Sequence, residues 1–173
     1  RPLVYRLVLA GYRALGKAVM YEEVRPDAGR PEKVLKRCPR FSSALAEVQM
    51  GGLPKNLERR RRLAEIYREG LTGHPDVALP AIAEQGSPSW IQFPILVEDK
   101  GGFYRHMARR GIDMSWTYRY SCAESYDRDD CPEAHRAART VLGLPTYPSL
   151  TERAARDVCR AAKSYAAPLP RPL

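Results

Sequence analysis

Apolar residues recur at helical spacing from the start of the chain. Leu3, Leu7, Val8, Tyr12, Leu15 and Val19 fall on one stripe of residues 3–20, which predicts a basic amphipathic helix. Such a helix either packs its stripe inside a domain or lies on an anionic membrane surface. Pro26, Gly29 and Pro31 turn residues 24–36 into a loop. A short helix is expected over Ser42–Met50, interrupted by Gly51-Gly52, with Pro54 opening a longer one in its first turn. Its stripe is Leu53, Leu57, Ala64, Tyr67 and Leu71, and it should end near Gly73.

Residues 76–90 read as a connection in which Ile82 begins a short strand. Ser89–Glu98, aromatic and β-branched, is the clearest strand, and Pro94 inside it argues for an edge position or a bulge. Asp99-Lys100-Gly101-Gly102 should close that strand, a helix should follow over Phe103–Arg110 with Gly111 as its stop, and Ile112–Tyr120 alternates like a second strand. A helix then starts at Asp130-Cys131-Pro132-Glu133 and runs through Val141 toward Gly143. The last helix starts at Ser149 or Thr151 and turns Ala154, Val158, Cys159 and Ala162 inward. Two helices, then strand, helix, strand, helix, helix predict an α+β fold, a small sheet packed with helices. The expected organisation is an N-terminal helix and loop over 1–36, a domain over 37–167 and an irregular tail over 168–173 with Pro168, Pro170 and Pro172.

Composition narrows the function. The 173 residues carry 29 Lys+Arg against 20 Asp+Glu, a net charge of +9. That charge is spread along the chain, whereas nucleic-acid binding concentrates it on one face. The one block, Arg59-Arg60-Arg61-Arg62, points around the whole circumference of a helix and alternates with Glu58, Glu65 and Glu69 at pairing distance. Nucleic acid is therefore not the expected partner. Cys38, Cys122, Cys131 and Cys159 match no paired metal-ligand spacing, and His74, His106 and His135 are isolated, so free thiols and no metal are expected. No apolar run approaches the roughly 20 residues of a membrane span, which leads us to expect a cytoplasmic protein. The opening residue is Arg1 rather than Met, as in a piece of a longer chain. Composition and spacing alone reveal no catalytic constellation. Trp116 with Tyr118-Arg119-Tyr120 is the densest aromatic cluster, either a strand packing its alternate faces or a ligand-facing surface.

Some blocks are more specific. Arg37 precedes Ser43-Ala-Leu-Ala-Glu-Val-Gln49-Met50, and Arg59 precedes Ala64 and Tyr67 without a gap. Gly111-Ile112-Asp113, Cys131-Pro132-Glu133-Ala134 and Leu144-Pro145-Thr-Tyr-Pro148 follow in order. This series, from Arg37 to about Ala162, resembles the sugar aminotransferases of the DegT/DnrJ/StrS type. The resemblance implies the C-terminal small domain of a fold-type I, homodimeric enzyme dependent on pyridoxal 5′-phosphate. Such an enzyme passes an amino group, usually from glutamate, to a nucleotide-linked keto sugar destined for polysaccharide, antibiotic or lipid-linked glycan.

In the family the Schiff-base lysine, its paired aspartate and the ring-stacking aromatic residue lie in the large domain. None of Lys17, Lys33, Lys36, Lys55, Lys100 and Lys163 has that context, so the chain alone should not transaminate and should show apolar surface where the large domain packs. Leu35-Lys36-Arg37 aligns with the family's Asn-Tyr-Arg, which keeps Arg37 as the cofactor-side candidate but loses the phosphate-reaching asparagine of the neighbouring subunit. Thr117-Tyr118 aligns with a His-Tyr pair near the sugar, leaving Tyr118 and, more weakly, Trp116 as substrate-side candidates. The rival is a degenerate, non-catalytic module that binds a partner, nucleic acid or an anionic membrane through residues 1–20 and 59–62.

Overall fold

A computed structural model describes residues 40–81, 86–126 and 130–166. The stretches 3–20 and 24–36, Arg37, Cys38, Ile82 and the proline-rich tail lie outside the described residues. The chain divides into two compact units, Arg1–Gly52 and Leu53–Leu173.

Helix α1, Arg40–Leu71, passes through Gly51-Gly52 and Pro54 without the expected interruption. Pro54 removes the N–H that would reach the carbonyl of Met50 and crowds that carbonyl with its ring, but every residue from Arg40 to Leu53 is exposed, so no packing opposes the adjustment. Nothing packs against Gly51 that would force a break there. In the second unit α1 buries Leu63, Ala64, Ile66, Tyr67 and Leu71. The outer members of the expected stripe, Leu53 and Leu57, stay exposed and half-buried.

The sheet is smaller than its sequence signal. Strand β1 is Phe93–Leu96 and pairs antiparallel with β2, Val141–Leu144, in the register Phe93↔Leu144 through Leu96↔Val141. Single bridges extend it on both sides, Ala78 to Leu96 and Ser115 to Gly143. Pro94 fits an edge. The Val97 N–H goes inward to Thr140 and the Leu96 N–H outward to Ala78, so the nitrogen of Pro94, in phase with Leu96, faces away from β2.

Two expectations are corrected here. The second strand is Val141–Leu144 and not 112–120, of which only Ser115 bridges. Val-Leu-Gly-Leu is too short for periodicity to separate strand from helix end, and β1 settles it by pairing. The run Ser89–Glu98 forms a strand only from Phe93, because Trp90 takes a left-handed backbone, φ 50.

Helix α2, Lys100–Arg109, begins at what was read as a strand-closing turn. Asp99 is its N-cap, accepting from the Gly102 N–H at 2.8 Å, and Gly111 (φ 75) follows its end as expected. The other Asp99 oxygen accepts from the Tyr165 hydroxyl at 2.6 Å. Those two bonds, Tyr165 first, hold the Asp99 carboxyl below its ordinary range. A 3₁₀ turn, Cys122–Tyr126, leads to α3, Pro132–Thr140, and then to β2. Helix α4, Glu152–Lys163, is capped by Thr151, which accepts from the Ala154 N–H at 3.1 Å, and buries Ala155, Val158, Cys159 and Ala162. Burial pushes the Cys159 thiol up to about 11, so it packs rather than reacts. One core joins α1, α2, β1, β2 and α4 around Tyr67, Phe93, Phe103 and Leu142.

Candidate functional site

Trp116 and Tyr118 sit in the segment that follows the Ser115 bridge, with no further ladder to hold them. Trp116 is half-buried, and its ring meets Tyr104 of α2 edge to face at 5.4 Å. Tyr118 leaves 51% of its surface exposed. Between them, Thr117 donates to Gln92 Oε1 at 2.8 Å and lies 3.3 Å from the Ser115 hydroxyl. Thr117, which the resemblance aligns with the family's histidine, thus has its hydroxyl tied to the segment before β1. Arg37, the third candidate, lies outside the described residues.

Sequence reasoning passed over Lys100. It is 5% exposed, and its Nζ donates to the carbonyls of Tyr118 at 2.6 Å and Ala138 at 2.7 Å. The same nitrogen lies 4.8 Å from the centre of the Trp116 ring. Burial pushes its pKa down to about 8. A signal was available, since a cation in the first turn opposes the helix dipole and needs another reason to be there.

The arginine block is absorbed within the second unit. Arg59 donates to the Leu150 carbonyl at 2.9 Å and Arg60 to the carbonyls of Ile91 at 2.9 Å and Trp90 at 3.2 Å. Arg61 donates to Ser87 Oγ at 3.0 Å, and Arg62 pairs with Glu65 at 3.1 Å and Glu152 at 3.4 Å. Four side chains pointing around α1 thus find partners in several different elements of the unit.

Another cluster looks catalytic and is not built that way. Ser121 Oγ and Glu124 Oε1 lie 2.9 and 3.2 Å from His135, both at Nδ1. A nucleophile relay needs the hydroxyl and the acid on opposite ring nitrogens. Among the described residues no group of three His, Cys, Asp or Glu could hold a metal, and no helix is long and apolar enough to cross a membrane.

Pyridoxal phosphate needs a free lysine amine, an acid for its ring nitrogen and a phosphate cradle. The described residues do not provide this set. The amine of Lys100 is engaged by two carbonyls and faces an indole, while Lys55 and Lys163 stand exposed. No chemical step through the cofactor is assigned to these residues.

A match to the DegT/DnrJ/EryC1/StrS aminotransferase family covers residues 35–163. The chain belongs to this family. It is 34% identical over 125 residues to a dTDP-4-dehydro-2,3,6-trideoxy-D-glucose 4-aminotransferase of Saccharopolyspora spinosa, covering 68% of this chain and 32% of that protein. It is 29% identical to a dTDP-3-amino-3,4,6-trideoxy-alpha-D-glucose transaminase of Streptomyces venezuelae, covering 75% of this chain and 36% of the relative. Among solved structures, S. venezuelae DesV in complex with a ketimine intermediate superposes with a TM-score of 0.70 at 29% identity. That match covers 78% of this chain and 38% of the other. The chain spans about a third of the length of the curated relatives it matches. The α+β fold expected from the sequence is the fold found, and these relatives act on dTDP-linked sugars.

Proposed function

We propose that this chain is the C-terminal, small-domain part of a pyridoxal phosphate-dependent aminotransferase, with residues 37–167 as that domain. The whole enzyme transfers an amino group, from a donor such as glutamate, to a keto sugar carried on a nucleotide. It works as a homodimer in the cytoplasm, and the product enters a polysaccharide or an antibiotic glycoside. The observation that carries this reading is the family match over 35–163 with dTDP-sugar aminotransferases as relatives.

Two features of the fold support it. The described residues hold half-buried Trp116 and half-exposed Tyr118 close together on the segment after Ser115. Phe41, Leu45 and Val48 form an exposed stripe on the first unit's part of α1, 78, 47 and 77% accessible, as expected of a surface that a larger domain covers. In this reading Tyr118 and Trp116 border the sugar, and Arg37 lies on the cofactor side.

The test is product formation. Given pyridoxal phosphate, glutamate and a dTDP-linked keto sugar, the chain alone is expected to release no 2-oxoglutarate. The protein read together with its upstream coding sequence should release it and form the amino sugar. Cofactor binding by that longer protein without any turnover would favour the degenerate, non-catalytic reading, to which the replacement of the family's histidine by Thr117 points.

A further inference from the structure

We propose that Lys100 is a positioning residue, whose ammonium group fixes where the Trp116 ring and the Tyr118 backbone stand. The proposal rests on the reading above for the role of those two residues, and on the following geometry for everything else. After the Ser115 bridge no backbone ladder holds residues 116–118, so side-chain contacts decide where they point. Lys100 makes three of these. It donates to the Tyr118 carbonyl, fastens that carbonyl to α3 through Ala138, and places its charge against the Trp116 indole. Tyr104 lies one turn along α2 from Lys100, on the same side of the helix, and closes on the same indole. The indole thus meets both a cation and an aromatic ring from one helix.

The charge and the hydrogen bonds can be separated. A neutral amine keeps two N–H donors, enough for both carbonyls, whereas attraction to the indole face needs the cation. Titrating Lys100 therefore loosens the ring contact and leaves the backbone contacts in place. Burial is the cause of its lowered pKa, with no charged side chain contributing. The titratable groups nearby are Tyr104, whose ring meets the same indole, and Tyr118, which contributes its carbonyl. On α2's N-terminal side Asp99 is occupied by Tyr165 and Gly102, and from α3 the contact is a carbonyl whose neighbour Arg139 is exposed.

The experiment is fluorine NMR on the full chain labelled with fluorotryptophan. It has two tryptophans, Trp90 and Trp116, assigned with Trp90→Phe. The Trp116 resonance is expected to titrate with a midpoint at about 8 while that of Trp90 stays still. Lys100→Met should abolish the titration and shift the Trp116 line. A Trp116 line that does not move with pH, or that Lys100→Met leaves in place, overturns the proposal. Should Lys100→Met unfold the chain, both lines collapse together, and the wild-type titration decides. In the enzyme containing this chain, Lys100→Met should raise KM for the nucleotide sugar about tenfold or more, with a smaller change in kcat. An unchanged KM beside a positive titration would remove the substrate-side role of the segment and leave the anchoring by Lys100 intact.

Discussion

Truncating Tyr67 to alanine is expected to lower stability by about 3–5 kcal/mol, enough to unfold much of a marginally stable domain. Tyr67 is fully buried, its ring lies 5.5 Å from that of Phe93, and its hydroxyl donates to the Pro145 carbonyl at 2.7 Å. Removing the ring leaves a cavity between α1 and β1 that rigid backbone cannot close. Tyr67→Phe isolates the hydroxyl and should cost about 1–2 kcal/mol, because the Pro145 carbonyl loses its donor. Burial pushes the Tyr67 phenol up, so the neutral, donating form persists in the folded protein above the pH where an exposed phenol ionises. Urea unfolding of the three proteins checks both numbers. An alanine variant within about 1 kcal/mol of wild type would mean that the core is not built around this residue. The result bears on the family resemblance, since Tyr67 is one of the residues that carry it and packs in the core here.

The arginine block offers the second large effect. Arg60→Met should cost about 2 kcal/mol, because a charged donor is lost from carbonyls on a strained turn. Trp90 has φ 50, a backbone region that costs a bulky residue about 1–2 kcal/mol. Its carbonyl and that of Ile91 are held by Arg60 and by the buried Thr146 hydroxyl at 2.7 and 2.8 Å. Without Arg60 the Thr146 proton serves only one of them well at a time. The same turn continues to Gln92, the partner of Thr117, so its release should also disturb the candidate substrate face. Arg62→Met is the control, since its pairs with Glu65 and Glu152 are exposed and screened by solvent. It should leave stability near wild type. Thermal melts of both variants test the contrast, and equal losses would show that the block acts through net charge instead.

How far the fold could be read in advance depended on whether a signal was local. The start of α4 was plain because Thr151 caps Ala154 within one turn, and the stop of α2 because Gly111 adopts a positive φ. The edge position of Pro94 followed from its missing N–H. The second strand was misplaced because its identity is decided by a partner some fifty residues earlier. Val141–Leu144 becomes a strand by pairing with β1, while the alternation over 112–120 reflects an indole turned toward α2 rather than a ladder. Gly51-Gly52-Pro54 looked like a break, yet the helix, exposed from Arg40 to Leu53, continues through.

The candidate site was readable only in part, for the same reason. Trp116 and Tyr118 stood out as an aromatic cluster and through the resemblance. Lys100 did not, because its chemistry comes from three elements, α2, the 116–118 segment and α3, that meet only in the fold. The near-triad at Ser121, Glu124 and His135 makes the complementary point. Proximity gathered the right residue types, and the shared Nδ1 contact denies them a relay.

The most direct test of the account is to mix the purified chain with pyridoxal phosphate, record the visible spectrum, and treat with borohydride. No reducible band and no pyridoxyl group fixed on a single lysine are expected, because among the described residues Lys100 is engaged and Lys55 and Lys163 are exposed. A band that borohydride removes and that maps to one lysine would contradict it, and would place the cofactor site inside these 173 residues.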